Sequence, residues 1–372
     1  MKVLFAIDSL GTAGTEKSTL EIISNFSKDV QIVVVSFYSR DELKKDHESS
    51  AITFYDLRTS TKKSWILAIR DLRKIIKVEK PDVIVSSMFS SNIFARLASW
   101  NTNSKLVGTF ISDSYSNIRT EQFSLKRKIV SHFFFLVDKL TSRIPVAWIS
   151  NSNTIKKSNC LKLNIKPEKV DVVYRGRNAL NFKPKQYGLK EGVFRFAFVA
   201  RLFETKGLRE LVEAFSIVIK QHKEVRLDIY GEGAFMETLI AIVKKFSLAD
   251  KITLHGLVPN AWEKLYDSDC FVFPSWYEGF SGSLVEAMLV GIPIIASDIP
   301  MNLEAVTDNK TALVYEVKNT EQLAAKMIKA VTSYDKMIEL GTAAREEALN
   351  RFDIKIVAAQ YENILKRVAE NR

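Results

Sequence analysis

The stretch F-P-S-W-Y-E-G-F-S-G-S-L-V-E-A-M-L-V-G-I-P-I-I-A-S-D, residues 273–298, decides how this chain is read. It lies between two short apolar runs, 270–273 and 294–296, with no polar alternation in either. Such runs suit strands buried on both faces of a parallel sheet. Residues 283–289 between them read as a helix, stopped by Gly291 and Pro293. Upstream the same cycle repeats: strands at 194–200, 225–230 and 252–254 alternate with helices at 208–218 and 235–246. The first half carries it too, with strands at 3–7, 32–37, 83–85, 105–111 and 147–150 and a helical spacing over 65–78. Alternating strands and helices predict an α/β fold. A chain of 372 residues exceeds what one core usually supports, so two successive α/β domains are expected. The polar stretch around Pro167, Pro184 and Gly188 is the expected hinge, and residues 354–365 form a final amphipathic helix.

In an open parallel sheet, ligands bind beyond the carboxyl ends of the strands. Glu278 falls in such a loop and Glu286 lies eight residues on, inside the following helix. Ser281, Gly282 and Ser283 at the helix start leave backbone donors for a phosphate. Glu286 stands in an otherwise apolar segment and needs a partner, because an unpaired buried charge is costly. That partner is a sugar or ribose diol, or a neighbouring Lys or Arg. After strand 194–200, A-R-L-F-E-T-K-G places Arg201 and Lys206 where they could converge on one anion. A diphosphate leaving group gains charge as its bond breaks, and fixed cations would favour that state; a solvated basic loop is the alternative. G-T-A-G-T-E-K-S, residues 11–18, permits a tight turn at Gly14 but is neither a Walker motif nor a dinucleotide fingerprint.

The net charge of +11 is uneven. Residues 1–190 carry 32 Lys and Arg against 17 Asp and Glu, whereas residues 191–372 carry 22 against 26. Such asymmetry points to partners more than to fold, with nucleic acid and anionic membrane as the candidates. No recognised nucleic-acid module accompanies the basic excess, so nucleic acid is not expected. The segment 119–143 holds six Lys and Arg against two acids around an apolar stretch, 133–137. That stretch is too short to span a bilayer but suits a helix lying in the interface, with Lys62 and Lys63 adding to the same surface. A core-facing helix with solvated lysines is the competing reading. No apolar run reaches a membrane span, and the opening M-K-V-L-F-A-I-D reads as a buried strand rather than a leader. Cys160 and Cys270 fall in different domains, fitting a reducing compartment, and four scattered histidines predict no metal site.

The segment Glu278–Glu286 resembles the E-x7-E motif of the retaining, GT-B-fold glycosyltransferases of family four, which build lipopolysaccharide cores, O-antigens, capsules and teichoic acid decorations. Arg201 and Lys206 are similar to that family's diphosphate pair, Gly231-Glu232-Gly233 to its glycine turn, and Glu304 to the glutamate after its Ser-Asp loop. The resemblance implies two Rossmann-like doubly wound domains facing each other across a cleft. Residues 1–185 would be the acceptor-side domain, 186–352 the nucleotide-sugar domain, and 353–372 a helix returning to the first. It implies that Glu286 holds the donor ribose, Glu278 approaches the transferred sugar, and Arg201 with Lys206 clamps the diphosphate. Backbone at Leu257 and Val258 would flank the base, backbone at Ser281, Gly282, Ser283 and Gly14 would face the phosphates, and no metal ion would be needed.

The expected reaction is therefore retaining transfer of a hexose or N-acetylhexosamine from a nucleoside-diphosphate sugar, UDP-linked by expectation, to a glycan or lipid-linked acceptor at the inner face of a bacterial membrane. Two departures bear on the acceptor. The strand read as V-G-T-F-I-S-D-S lacks the histidine many relatives place after it, leaving Asp113 or Ser112 for part of that role. V-Y-R-G-R-N replaces P-N-G-V-D, setting Arg175 and Arg177 at the expected acceptor-side edge. The alternatives are a non-catalytic nucleotide-sugar-binding partner subunit, or a GT-B nucleotide-sugar epimerase, whose usual catalytic carboxylates and histidine have no clear counterparts.

Overall fold

The computed structural model describes residues 1–11, 14–40, 42–43, 52–58, 65–120, 123–187 and 192–370. The chain divides into two compact units, Met1–Gly176 with Ile354–Arg372, and Arg177–Asp353. Lys62 and Lys63 lie outside the described residues.

In the first unit the strands are β1 (Lys2–Ile7), β2 (Gln31–Ser36), β3 (Ile52–Asp56), β4 (Val83–Ser87), β5 (Lys105–Phe110), β6 (Ala147–Ser150) and β7 (Val170–Val172). They form a parallel sheet in the order β3-β2-β1-β4-β5-β6-β7. Its helices are α1 (Gly14–Ile23), α2 (Trp65–Glu79), α3 (Phe89–Ser99), α4 (Asn117–Thr120), α5 (Leu125–Thr141) and α6 (Asn153–Leu163). Successive residues of a strand point to opposite faces, and β1 supplies both cores. Val3, Phe5 and Ile7 pack with Leu20 and Ile23 of α1, while Leu4 and Ala6 pack with Leu72 and Ile76 of α2 and Phe94 of α3.

The second unit contains β8 (Phe194–Val199), β9 (Val225–Tyr230), β10 (Ile252–Gly256), β11 (Cys270–Phe273), β12 (Ile294–Ser297) and β13 (Leu313–Tyr315), all parallel in the order β10-β9-β8-β11-β12-β13. Its helices are α7 (Leu208–Gln221), α8 (Met236–Lys245), α9 (Gly282–Val290), α10 (Pro300–Leu303), α11 (Thr320–Thr332) and α12 (Tyr334–Arg351). Phe194, Phe196, Leu227 and Ile229 face α7 and α8 through Leu211, Phe215, Leu239 and Ile242.

The last helix, α13 (Ile354–Glu370), packs Val357, Tyr361 and Leu365 into the β1 face of the first unit. Its Glu362 accepts hydrogen bonds from the Ser27 amide at 2.7 Å and the Ser27 hydroxyl at 2.6 Å. At its far end the Lys105 ammonium donates to the Val368 carbonyl at 2.8 Å, meeting a helix-terminal acceptor that lacks an intrahelical donor. The boundary between the units falls at Gly176, earlier than the 185/186 expected. Phe182 packs against Trp262 with the rings tilted at 44°, and the Lys185 amide donates to the Val290 carbonyl, so residues 177–185 are tied to the second unit. Strands β3 and β13 carry no signal in the sequence reading. The first is half-exposed and the second has three residues, too few for a pattern.

Two glycines set the loops that bear the candidate site. Gly207 has φ +68° and a Cβ there would stand 2.1 Å from the Pro274 carbonyl oxygen; Gly231 has φ +140° and a Cβ would stand 1.9 Å from that of Ala200. Gly231→Ala therefore combines a disfavoured backbone with a backbone clash, at an expected cost of about 3 kcal/mol. Urea titration should show the lowered midpoint; a midpoint equal to the parent's would refute the close approach.

Candidate functional site

At the carboxyl end of β8 the chain enters a short 3-10 turn, Glu204–Lys206, closed by Gly207 in a left-handed conformation. The Trp276 amide donates to the Thr205 carbonyl at 2.8 Å, tying this turn to the loop that follows β11. Because Gly207 lets its backbone approach Pro274, the two loops bring Lys206 and Glu278 together as an ion pair. Both side chains are largely buried, at 15% and 10% exposure, and the ammonium also lies 5.9 Å from the centre of the Phe273 ring. A buried pair of this kind keeps each charge stable without water.

Arg201 is exposed, with its guanidinium 5.2 Å from the Phe203 ring. It forms no ion pair among the described residues, so Glu278 is paired by Lys206 and not by Arg201. Ser281 is the N-cap of α9, and its hydroxyl accepts from the Leu284 amide at 3.4 Å. By helix geometry the amides of Gly282 and Ser283 have no intrahelical acceptor and remain donors at the positive end of the helix dipole.

Glu286, on the second turn of α9, does pair with an arginine. Its Oε1 accepts from Arg177 Nε at 2.7 Å, with the side chains 13% and 6% exposed. This corrects the placement of Arg177 at an acceptor-side edge. The residue is buried in the second unit, its amide bonded to the Phe352 carbonyl at 2.9 Å, because a carboxylate on this apolar helix requires a buried cation. Arg175, two residues earlier, stays in the first unit, its guanidinium 3.3 Å from where a Gly14 Cβ would be. Gly14 is the first residue of α1.

Leu257 and Val258 follow β10 in a loop pinned by the Gly231 amide donating to the Gly256 carbonyl at 2.7 Å; Leu257 is exposed and Val258 half-buried. Beside them lies a group that the sequence reading missed. His255 stacks on Tyr230 at 4.3 Å, and its Nε2 is hydrogen-bonded to buried Asp228 at 2.8 Å. Burial pushes the Tyr230 phenol up to about 12. A histidine immediately before the loop glycine was the available signal.

In the first unit Asp113 is committed to structure. Its Oδ2 accepts from Lys162 and from the Ser158 hydroxyl, both at 2.5 Å, and its Oδ1 from the Tyr115 amide at 3.0 Å. The neighbouring Ser112 contributes its carbonyl to Asn159. Two further acids of the first unit, Asp8 and Glu16, received no role in the sequence reading. Burial holds the Asp8 carboxyl above the usual carboxylate range although the Ser91 amide and hydroxyl both donate to it, and Glu16 is buried with Ser9 donating to one oxygen.

The basic segment contains α5, which divides into three faces at ~100° per residue. Phe134, Asp138 and Thr141 face inward, where Asp138 pairs with the fully buried Arg96 and Phe134 packs on Trp65 and Phe89. Leu125, Ile129, Phe133, Leu136 and Leu140 form an exposed apolar face, from 45% exposure at Leu136 to 78% at Leu140. Lys128, His132, Phe135 and Lys139 occupy the face beside it. Phe133 is thus exposed, whereas Phe134 and Phe135 are half-buried. Among the described residues no helix is long and apolar enough to cross a membrane, and no group of three or more His, Cys, Asp or Glu could hold a metal ion.

Residues 12–179 match the family model described as Glycosyltransferase Family 4, and residues 181–347 match that described as Glycosyl transferases group 1. The chain is 23% identical to the capsular polysaccharide biosynthesis glycosyltransferase CapH of Staphylococcus aureus over 368 residues, 98% of each chain. It is 27% identical over 167 residues to the poly(ribitol-phosphate) alpha-N-acetylglucosaminyltransferase of Staphylococcus aureus strain COL, spanning 45% of this chain and 34% of that protein. HepE of Anabaena, solved in complex with UDP, superposes with a TM-score of 0.83 at 18% identity, covering 99% of this chain and 100% of its own. That last likeness is one of fold.

Proposed function

This chain belongs to the GT-B glycosyltransferases, and from that premise we propose that it moves a hexose or N-acetylhexosamine from a nucleoside-diphosphate sugar, with UDP as the nucleotide, to a glycan or lipid-linked acceptor in cell-surface polysaccharide synthesis. The observation that carries the reading is the Lys206–Glu278 pair at the carboxyl ends of β8 and β11, beside the opening turn of α9. Relatives named for capsular polysaccharide biosynthesis, for colanic acid biosynthesis and for N-acetylglucosaminyl transfer to poly(ribitol-phosphate) support the acceptor class, and the UDP bound by HepE supports the nucleotide.

On this reading the diphosphate lies across the amides of Gly282 and Ser283, with Ser281 capping the helix. Lys206 and Arg201 meet the charge that grows on the leaving phosphate, and Lys206, with three ammonium protons, can bridge that phosphate to Glu278. Glu278 accepts from hydroxyls of the transferred sugar. Glu286, oriented by Arg177, accepts from the ribose diol, and backbone at Leu257 and Val258 lines the base. The new bond forms on the face from which the diphosphate leaves, so the anomeric configuration is retained.

Incubation with a panel of nucleotide sugars, reading released nucleoside diphosphate, tests the class. Release from UDP-sugars that increases with a glycan acceptor is expected; no release from any donor would remove the enzymatic reading and favour a binding subunit. Since cations and helix amides suffice for the diphosphate, turnover should survive exhaustive chelation, and activity restored only by Mg²⁺ or Mn²⁺ would overturn that part. The two carboxylates should separate as well. Glu286→Gln weakens binding of the nucleoside diphosphate about tenfold. Glu278→Gln lowers transfer but leaves product affinity unchanged or raised, because Lys206 is released for the phosphate. Equal losses of affinity by calorimetry would refute this division.

The exposed apolar face of α5, flanked by Lys126, Lys128 and Lys139, supports peripheral attachment of the first unit to an anionic membrane at the cytoplasmic face. Vesicle co-sedimentation should rise with anionic lipid and fall with salt; no pelleting at low salt would defeat it.

A further inference from the structure

Beside the apolar face of α5 lies a cavity of about 480 Å³ lined by Lys128, Ser131, His132 and Phe135 of that helix, with Tyr115, Thr120 and Lys162 opposite. We propose that this cavity seats the phosphate of an anionic phospholipid headgroup, an assignment that rests on the interfacial reading of α5. The chemistry of its walls is that of a phosphate site. Lys128 and Lys162 bring two ammonium groups, Ser131 a hydroxyl, and His132 a ring nitrogen. Lys162 is held in place by Asp113 at 2.5 Å and by the Tyr115 carbonyl at 3.0 Å, which leaves one of its three protons for a ligand. Its charge is balanced by Asp113, so the attraction for an anion comes mainly from Lys128, which pairs with no carboxylate among the described residues.

The apolar part of the wall is rigid. Tyr115 and Phe135 meet edge to face at 4.9 Å, and the Tyr115 hydroxyl donates to Asp138 at 2.9 Å, so the phenol is a spacer rather than a phosphate ligand. Placement on the helix selects a lipid over a soluble phosphate. Lys128, Ser131, His132 and Phe135 follow one another at spacings of three, one and three residues along the strip next to Leu125, Ile129, Phe133, Leu136 and Leu140. A helix lying in the interface buries its apolar face roughly 5–10 Å into the headgroup boundary. The adjoining strip then stands at the level of the phosphates, where two cations in a walled cavity form charge-assisted hydrogen bonds.

The test compares phosphatidylcholine vesicles doped with phosphatidic acid and vesicles doped with oleate to the same surface potential. The full-length chain should bind the phosphatidic acid vesicles about tenfold more tightly, the worth of a charge-assisted hydrogen bond. Lys128→Gln with His132→Gln should erase this preference while binding to oleate vesicles persists. Phe133→Ser with Leu140→Ser should abolish binding to both. Equal affinity of the parent for the two vesicle types overturns the phosphate cavity and leaves the interfacial helix standing; pelleting with neither overturns both. Saturable binding of soluble glycerol phosphate at matching affinity, indifferent to the Phe133 and Leu140 changes, overturns the lipid assignment in favour of a free phosphate.

Discussion

Replacing Lys206 with alanine is expected to lower turnover at saturating donor about 100-fold, the upper end of what a charge-assisted hydrogen bond contributes when converted to rate. The loss has two physical parts. The leaving diphosphate loses the ammonium that its growing charge meets, and Glu278, largely buried, loses the cation that balances it. The second part couples the two residues, because a largely buried charge left without its partner is costly. The residual activity of Lys206→Ala should therefore decline less steeply when Glu278→Gln is added than additivity demands. Arg201→Ala makes a useful contrast. It is exposed and paired with no carboxylate among the described residues, so about a tenfold loss is expected, with stability unchanged. Steady-state assays of released nucleoside diphosphate decide both. Activity of Lys206→Ala within twofold of the parent would sink the clamp.

Arg177→Met should be the most damaging substitution for stability. It leaves Glu286 without its cation between Leu284, Val285, Ala287 and Met288, all buried and apolar, and breaking a buried pair by removing one partner costs about 3–5 kcal/mol. For a unit of this size that is a fall of about 10 °C in the melting of the second unit. The double variant Arg177→Met with Glu286→Gln should recover most of the loss, because no charge is then left unpaired. Binding of nucleoside diphosphate should stay weak in the double variant, since the carboxylate proposed for the ribose is gone. Calorimetric melting of the three proteins checks the first claim and titration with nucleoside diphosphate the second. Parent-like melting of Arg177→Met would mean that Glu286 draws its compensation from elsewhere.

The pairing of Arg177 with Glu286 also marks where sequence reading ran out. The need for a partner was legible, because a glutamate among Leu284, Val285, Ala287 and Met288 cannot stay charged and alone. Its identity was not, since 109 residues separate the two and only the closing of the second unit around residues 177–185 brings them together. Much the same holds for Lys206 and Glu278. Each was legible as a strand-end residue, yet their contact depends on Gly207 and Pro274 meeting backbone to backbone.

The sequence alone determined the α/β class and the alternation of strands and helices, because strands buried on both faces must be continuously apolar and the helices between them must be amphipathic. It also determined which loops bear the candidate donor residues, since a parallel sheet presents the loops at its carboxyl ends to ligands. Strand order, the edge strands β3 and β13, and the partners of buried charges were left to the tertiary structure. So was the fate of the basic segment at 119–143. Its composition allows either a core helix or an interfacial one. Only the packing of Phe134 and Asp138 inward leaves Leu125, Ile129, Phe133, Leu136 and Leu140 exposed beside Lys128 and His132, because a helix can bury one face against its neighbours while its others stay at the surface.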